Sequence, residues 1–239
     1  MTTSTEKTAG ILGGMGPEAT VDLLRRIIAH TRADDDADHV RCIVDNNPKV
    51  PSRLKALLEG SPVSPGPCLA DMARRLEAWG ADFLCMACNT AHHYYAEVRH
   101  AVDIPVLNMV ELAAREAARH APGGAVGILA SPAVRRIGLY EGPCKALGIT
   151  PLYAEGEWEA RLLVVIKAVK AGRTDTATRA TFEGIARQVW QSGAQVLLIA
   201  CTELGVLGAR ADVPLLDAAD VLARTVVCEA GGRLAEPAA

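Results

Sequence analysis

The sequence predicts an α/β fold of two similar parallel-sheet α/β domains, related by a pseudo-two-fold duplication, with a cleft between them. Three observations predict it. Short apolar strand patterns alternate with helical ones. That alternation occurs twice, in the same order. The 239 residues are 50% hydrophobic and 22% charged but only 4% aromatic, which fits globular cores built from Ala, Val, Leu and Ile.

The elements follow in chain order. Ala9-Gly10-Ile11-Leu12-Gly13-Gly14 is a buried-strand pattern ending in glycines. Pro17-Glu18-Ala19-Thr20 opens a helix, with Val21, Leu24, Ile27 and Ile28 at helical spacing. Val40–Asp45 reads as the next strand, broken by Asn46-Asn47-Pro48. After a Pro/Gly/Ser loop (Pro62 to Pro67), Leu69–Trp79 is a helix closing at Gly80. Ala81–Ala87 is a buried strand, a helix follows from about Asn89, and Ile104–Leu107 is a short strand.

The pattern then repeats. Ala9–Gly13 matches Val126–Ala130, and Gly80–Leu84 matches Gly193–Leu197. Ala87-Cys88-Asn89-Thr90 matches Ala200-Cys201-Thr202-Glu203, and Asp103–Leu107 matches Asp212–Leu216. Gly10 and Gly127 lie 117 residues apart, Gly80 and Gly193 113, Cys88 and Cys201 113, and Ile104 and Val213 109. Four matches in a fixed order point to duplication. The expected domains are residues 8–112, completed by roughly 215–230, and 113–214, with 1–7 and 231–239 as loose tails.

Composition excludes several classes. The net charge of −3 offers no basic footprint for nucleic acid. The mean hydropathy of +0.15 is too low for a membrane bundle, and Val196–Cys201 and Leu162–Ile166 are far short of a span. Met1 to Lys7 has no apolar targeting region. The seven cysteines are odd in number and not spaced like a secreted disulfide scaffold, so a reducing cytoplasm is expected.

Each repeat ends a buried strand with one cysteine, Cys88 and Cys201, where a helix starts. Ligands of open α/β sheets bind at such carboxyl ends. A helix N-terminus presents unpaired N–H groups that bind a carboxylate and favour a thiolate. Two thiols on opposite sides of a cleft suit stereoinversion at an acidic carbon. One thiolate removes a proton from one face, and the other thiol supplies a proton to the opposite face.

Gly13-Gly14-Met15-Gly16-Pro17-Glu18-Ala19-Thr20, Asn47-Pro48-Lys49-Val50-Pro51-Ser52-Arg53, Ala87-Cys88-Asn89-Thr90-Ala91-His92 and Cys201-Thr202-Glu203-Leu204 resemble the motifs of the aspartate/glutamate racemase family. The resemblance runs from about Ala9 to Val227. It implies a racemase that needs no cofactor, pyridoxal phosphate included, and no metal. It implies Cys88 and Cys201 as the acid/base pair, and Asn89, Thr90 and Thr202 as holding the α-carboxylate and amino group. Met15 and Glu203 match positions lining the site. Arg53 resembles the arginine that aspartate racemases use for the side-chain carboxylate, and Lys170 resembles its lysine partner. The implied substrate is a small acidic amino acid, aspartate first, with glutamate or a broader set as the alternative. The resemblance also implies a homodimer. One stretch departs from the family: its Thr-rich turn is here Ala130-Ser131-Pro132-Ala133-Val134, where Ser131 keeps a hydroxyl and Val134 does not.

Other readings compete. Cys85-Met86-Ala87-Cys88 is a C-x-x-C, readable as a redox pair or half a zinc site. The repeat aligns Cys85 with Leu198, and no second C-x-x-C exists. Cys42, Cys68, Cys144 and Cys228 read as packing residues. Of His92 and His93, one is expected at the site edge and the other as a cap or in solvent. Gly14-Met15-Gly16-Pro17-Glu18-Ala19 fits a dinucleotide fingerprint, but Pro17 interrupts it, and Asp34–Asp36 with Asp38 reads as a solvated loop. Isomerisation of a small diacid, or a dicarboxylate-binding protein without catalysis, would use the same cleft.

Overall fold

The computed structural model describes residues 6–208 and 213–236; Asp212 of the fourth repeat match and the outermost tail residues lie outside them. The first half runs β1 (Ala9–Gly13), α1 (Pro17–His30), β2 (Cys42–Asn46), α2 (Arg53–Leu58), α3 (Gly66–Ala78) and β3 (Phe83–Met86). A 3-10 turn (Thr90–Tyr94), α4 (Tyr95–His100) and α5 (Met109–His120) follow. The second half runs β4 (Ala125–Leu129), α6 (Pro132–Arg136), α7 (Glu141–Ala146), β5 (Thr150–Tyr153), α8 (Glu157–Lys170) and α9 (Thr176–Gln191). It ends with β6 (Val196–Ile199), α10 (Thr202–Val206), β7 (Leu215–Asp217) and α11 (Ala218–Glu229).

Two parallel sheets result, ordered β2-β1-β3 and β5-β4-β6-β7. The expected strand Ile104–Leu107 is a single parallel bridge, Leu84 with Val106, where the second half pairs Leu197 with Leu215. The duplication extends to side-chain packing. A Cβ on Gly10 would meet Leu84 at 2.5 Å, Ala81 at 2.8 Å and Leu76 at 3.4 Å. A Cβ on Gly127 would meet Leu197 at 2.5 Å, Val189 at 2.7 Å and Ala194 at 3.2 Å. These are the same three neighbours shifted by 113 residues, so both central strands lie too close to their covering helix and neighbouring strand for any side chain.

Three apolar clusters form the core. One lies inside the first half around Leu12, Leu69, Met72 and Leu84, and one inside the second around Leu162, Phe182 and Leu197. The third joins the halves, with Ile11, Phe83, Ile128, Leu198, Leu222 and the α5 alanines 113, 114 and 117.

Several expectations are corrected. The expected boundary at 112/113 falls inside α5, a continuous helix capped by the Asn108 side chain. Residues 215–217 extend the second sheet, not the first half; from roughly 218 on, α11 packs against α1 and α5. Of the tails, 231–236 are not loose. Arg32 N–H donates to Arg233 O, Ala235 N–H to His30 O, and Thr31 and Leu234 form an antiparallel bridge. At the other end, Lys7 N–H reaches Ala230 O. On α1 the buried face is Ala19, Thr20, Leu23 and Ile27, leaving Val21 45% and Ile28 58% exposed. Thr20 can be buried because its hydroxyl accepts from Gly14 N–H and bonds Gly16 O. Among the described residues no helix is long and apolar enough to cross a membrane.

Candidate active site

The loops at the carboxyl ends of β1, β2, β3, β4 and β6 converge on a cavity of about 850 Å³. Gly14, at φ 84°, lets the β1 loop close on the β2 loop: a Cβ there would lie 2.2 Å from the Asn47 backbone. Met15, Arg53, Cys88, Thr90, Ser131, Lys170, Cys201 and Glu203 all line the cavity. Ile166, Val169 and Val206 add an apolar wall.

Both thiols are free and nearly buried, Cys88 6% and Cys201 7% exposed. They are not equivalent. Cys201 Sγ lies 3.2 Å from Glu203 Oε2, while Glu203 Oε1 pairs with Lys170 Nζ. Burial, and then the Glu203 carboxylate, push the Cys201 thiol well above its ordinary pKa, with Lys170 pulling the other way. Burial and the adjacent carboxylate thus oppose the lowering expected from the helix N-terminus. Burial lowers the basicity of Lys170, but Glu203 together with Cys88 and Cys201 raises it, and its pKa rises on balance. After Cys88 the chain forms the 3-10 turn rather than the α-helix expected from Asn89.

Arg53 is held by backbone. Its Nη1 donates to Pro51 O at 3.1 Å and Val50 O at 3.4 Å, its Nη2 to Met15 O at 3.0 Å, and its buried Nε has no partner. Among the described residues no carboxylate pairs with it, so this wall keeps an unneutralised guanidinium whose charge favours a carboxylate.

Asn89 and Thr202 sit beside the cysteines but not on the cavity wall; they tie the halves together. Tyr140 OH donates to Asn89 Oδ1 at 2.6 Å, and Thr202 Oγ1 donates to Ala87 O at 3.3 Å. Thr90 and Ser131 hydroxyls meet across the same seam at 3.4 Å. Asn89 Nδ2 is buried without a partner. Val134 faces the central core, so its loss of a hydroxyl leaves Ser131 as the cavity contact of that loop. Sequence reasoning missed Tyr140, whose 51-residue separation from Asn89 carries no local signal.

Cys85 packs in the central core and Cys88 in the first-half cluster, so the C-x-x-C does not form a pair. Burial drives the Cys85 thiol far up. Cys144 is buried as expected, Cys42 and Cys68 are partly buried, and Cys228 is exposed, correcting its reading as a packing residue. Position 228 falls on the outer face of α11, whose inner face is Leu222, Ala223, Val226 and Val227. His92 is buried in the turn rather than at the site edge, and His93 is exposed.

The chain is similar to known racemases. Residues 12–226 match the family described as Asp/Glu/hydantoin racemase. The chain is 31% identical to Picrophilus torridus aspartate racemase, with TM-score 0.86 and 96% of each chain covered. It is 26% identical over 224 residues to the broad specificity amino-acid racemase RacX of Bacillus subtilis, covering 91% of this chain and 96% of that one. A glutamate racemase from Bacillus anthracis shares the fold, with TM-score 0.60 at 17% identity, covering 95% of this chain and 84% of that one. With the family match running from β1 to α11 and both half-site cysteines facing one cavity, the chain belongs to the Asp/Glu/hydantoin racemase family and is an isomerase of the amino-acid racemase class.

Proposed function

We propose that the protein interconverts L- and D-aspartate by two-base proton transfer between Cys88 and Cys201. The observation that carries the reading is the pair of unbridged thiols from equivalent strand ends on one cavity, beside a guanidinium without a carboxylate partner. One thiolate takes the α-proton from its face and becomes a thiol. The opposite thiol delivers its proton to the other face of the planar carbanion and becomes a thiolate. The inverted amino acid leaves, and the reverse reaction exchanges the roles. Arg53 takes the side-chain carboxylate, and Lys170 contributes a second cation once that carboxylate competes with Glu203. Thr90 and Ser131 offer hydroxyls to the α-substituents. No cofactor enters the scheme. Both thiols must stay unbridged, so the reading includes a reducing, cytoplasmic setting; pairing into a homodimer rests on the family resemblance.

The test is a substrate panel in D2O, following α-deuteration and optical rotation. Aspartate should exchange and lose rotation fastest. Cys88→Ser and Cys201→Ser should each abolish turnover, while Cys85→Ala should leave it; loss on Cys85→Ala alone would favour thiol redox chemistry. Binding of aspartate without exchange would mark a binding protein. A second reading, broad specificity, is favoured by the apolar wall of Ile166, Val169 and Val206, and by the similarity to RacX. Comparable rates on aspartate and long aliphatic amino acids would select it.

A further inference from the structure

His92 is a buried ionisable group on the loop that carries Cys88, and the scheme above leaves it unused. It is 5% exposed and does not line the cavity. Both ring nitrogens are engaged. Nε2 lies 3.0 Å from the Met109 backbone N–H, which can only donate, so Nε2 is the acceptor. The proton therefore sits on Nδ1, which donates to the carbonyl of Cys88 at 2.9 Å. The neutral ring stands nearly parallel to Tyr95, with planes 8° apart. It links the backbone of Cys88 to the first residue of α5, the helix running along the central core. A ring fixed in one tautomer by two backbone groups cannot accept a substrate proton, so a role as third base is excluded by its bonds.

The link is one-sided. Shifted by 113 residues, position 92 becomes Gly205, which has no ring. The space there is filled from elsewhere: a Cβ on Gly205 would lie 2.4 Å from Asp217 Oδ2 and 3.0 Å from Arg26 Nη2. Cys201 instead has Glu203 beside its sulfur. The two thiols are thus held by unrelated supports.

We propose that His92 is a positioning residue for Cys88 alone, fixing the backbone that carries one of the two bases. The proposal rests on the two-base reading above. Its consequence is facial selectivity: loss of His92 impairs proton removal by Cys88 and spares proton removal by Cys201.

Racemisation cannot reveal this, because each turnover uses both thiols. Elimination can. With 3-chloroaspartate, one thiolate takes the α-proton, the C–H electron pair forms the Cα–Cβ double bond, and chloride leaves with the C–Cl pair. The enamine tautomerises and hydrolyses to oxaloacetate and ammonium. Only the base facing the α-hydrogen is used, so each α-configuration reports one cysteine. Chloride release is measured from both α-configurations with wild type, Cys88→Ser, Cys201→Ser, His92→Leu, His92→Gln and His92→Asn, and thermal unfolding confirms that each is folded. His92→Leu removes both bonds. His92→Gln reaches toward Met109 but loses the donor at the Nδ1 position, and is read in place of His92→Leu if that chain does not fold. His92→Asn keeps a donor near Nδ1 and is the conservative rescue.

The expected result is a loss of tenfold or more for one configuration only, the same one lost in Cys88→Ser, with the other within twofold of wild type and His92→Asn restoring most of the rate. Equal losses for both configurations, or no loss, would overturn the positioning role while leaving the two-base reading intact. A folded wild type that eliminates from neither configuration, or cysteine variants without opposite selectivities, would overturn both.

Discussion

Glu203 stands beside one of the two cysteines only. Its carboxylate lies against the Cys201 thiol on one side and Lys170 on the other. Removing its charge in Glu203→Gln takes away an anion that holds the thiol protonated and frees Lys170 to attract a thiolate. The Cys201 pKa should therefore fall. Thiolate absorbance near 240 nm, titrated as the difference between Cys88→Ser and Cys88→Ser/Cys201→Ser chains with and without Glu203→Gln, reads the shift; an unchanged or higher pKa would contradict it. His92 carries a second prediction. Burial, against its hydrogen bonds to Cys88 and neighbouring backbone, lowers its pKa from 6.5 to about 4. The unfolded chain thus binds a proton at this site between those values and the folded chain does not. Stability from this group is intact above pH 6.5 and lost as pH falls toward 4, by up to about 3 kcal/mol. Urea unfolding of wild type and His92→Asn at pH 7.5 and 5 should show the larger loss in wild type. Cys88, Cys201 and Arg53 could be singled out in the sequence because they fall in family-like motifs, and Lys170 because it resembles the family's lysine; all four line one cavity. The Tyr140–Asn89 bond was not legible there, because its side chains meet only once the halves face each other, nor was the Glu203–Lys170 pairing, because it joins α8 to α10 across 33 residues within the second half.

Parallel strands buried on both faces read as apolar runs, so the central strands and their duplication could be seen without a structure. Gly10 and Gly127 show why the repeat persists at those positions: in both, three matched neighbours occupy the space of a side chain. Gly10→Ala and Gly127→Ala should each destabilise the fold by about 1–3 kcal/mol through overpacking. Urea midpoints test this, and a neutral effect at either would mean that its covering helix is free to shift. Element ends were less legible. The helix pattern around Pro17 fits two adjacent faces, and the tie between Thr20 and the glycine loop selects the one bearing Leu23 over the one bearing Ile28. The turn after Cys88 departs from an α-helix where the His92 ring ties the Cys88 carbonyl to α5, a contact that no local spacing announces.

For the whole molecule, the cavity exists because two copies of one unit share a third core and are stitched at the seam by Thr202 to Ala87, Tyr140 to Asn89 and Thr90 to Ser131. The strand-end thiols are carried on those same stitched loops, so the distance across the substrate is set by the packing of the halves. Arg53→Ala should reduce turnover of aspartate more than that of alanine if, as proposed, the guanidinium takes the side-chain carboxylate; equal losses would place its role elsewhere. The most direct test of the two-thiol account is L-aspartate incubated in D2O with wild type, Cys88→Ser and Cys201→Ser, with chiral separation and mass analysis of the product. The account predicts D-aspartate carrying deuterium at Cα from wild type, and at least about a 100-fold loss in each cysteine variant. Wild type that forms neither D-aspartate nor α-deuterated aspartate, or a cysteine variant that still racemises at the wild-type rate, would contradict it.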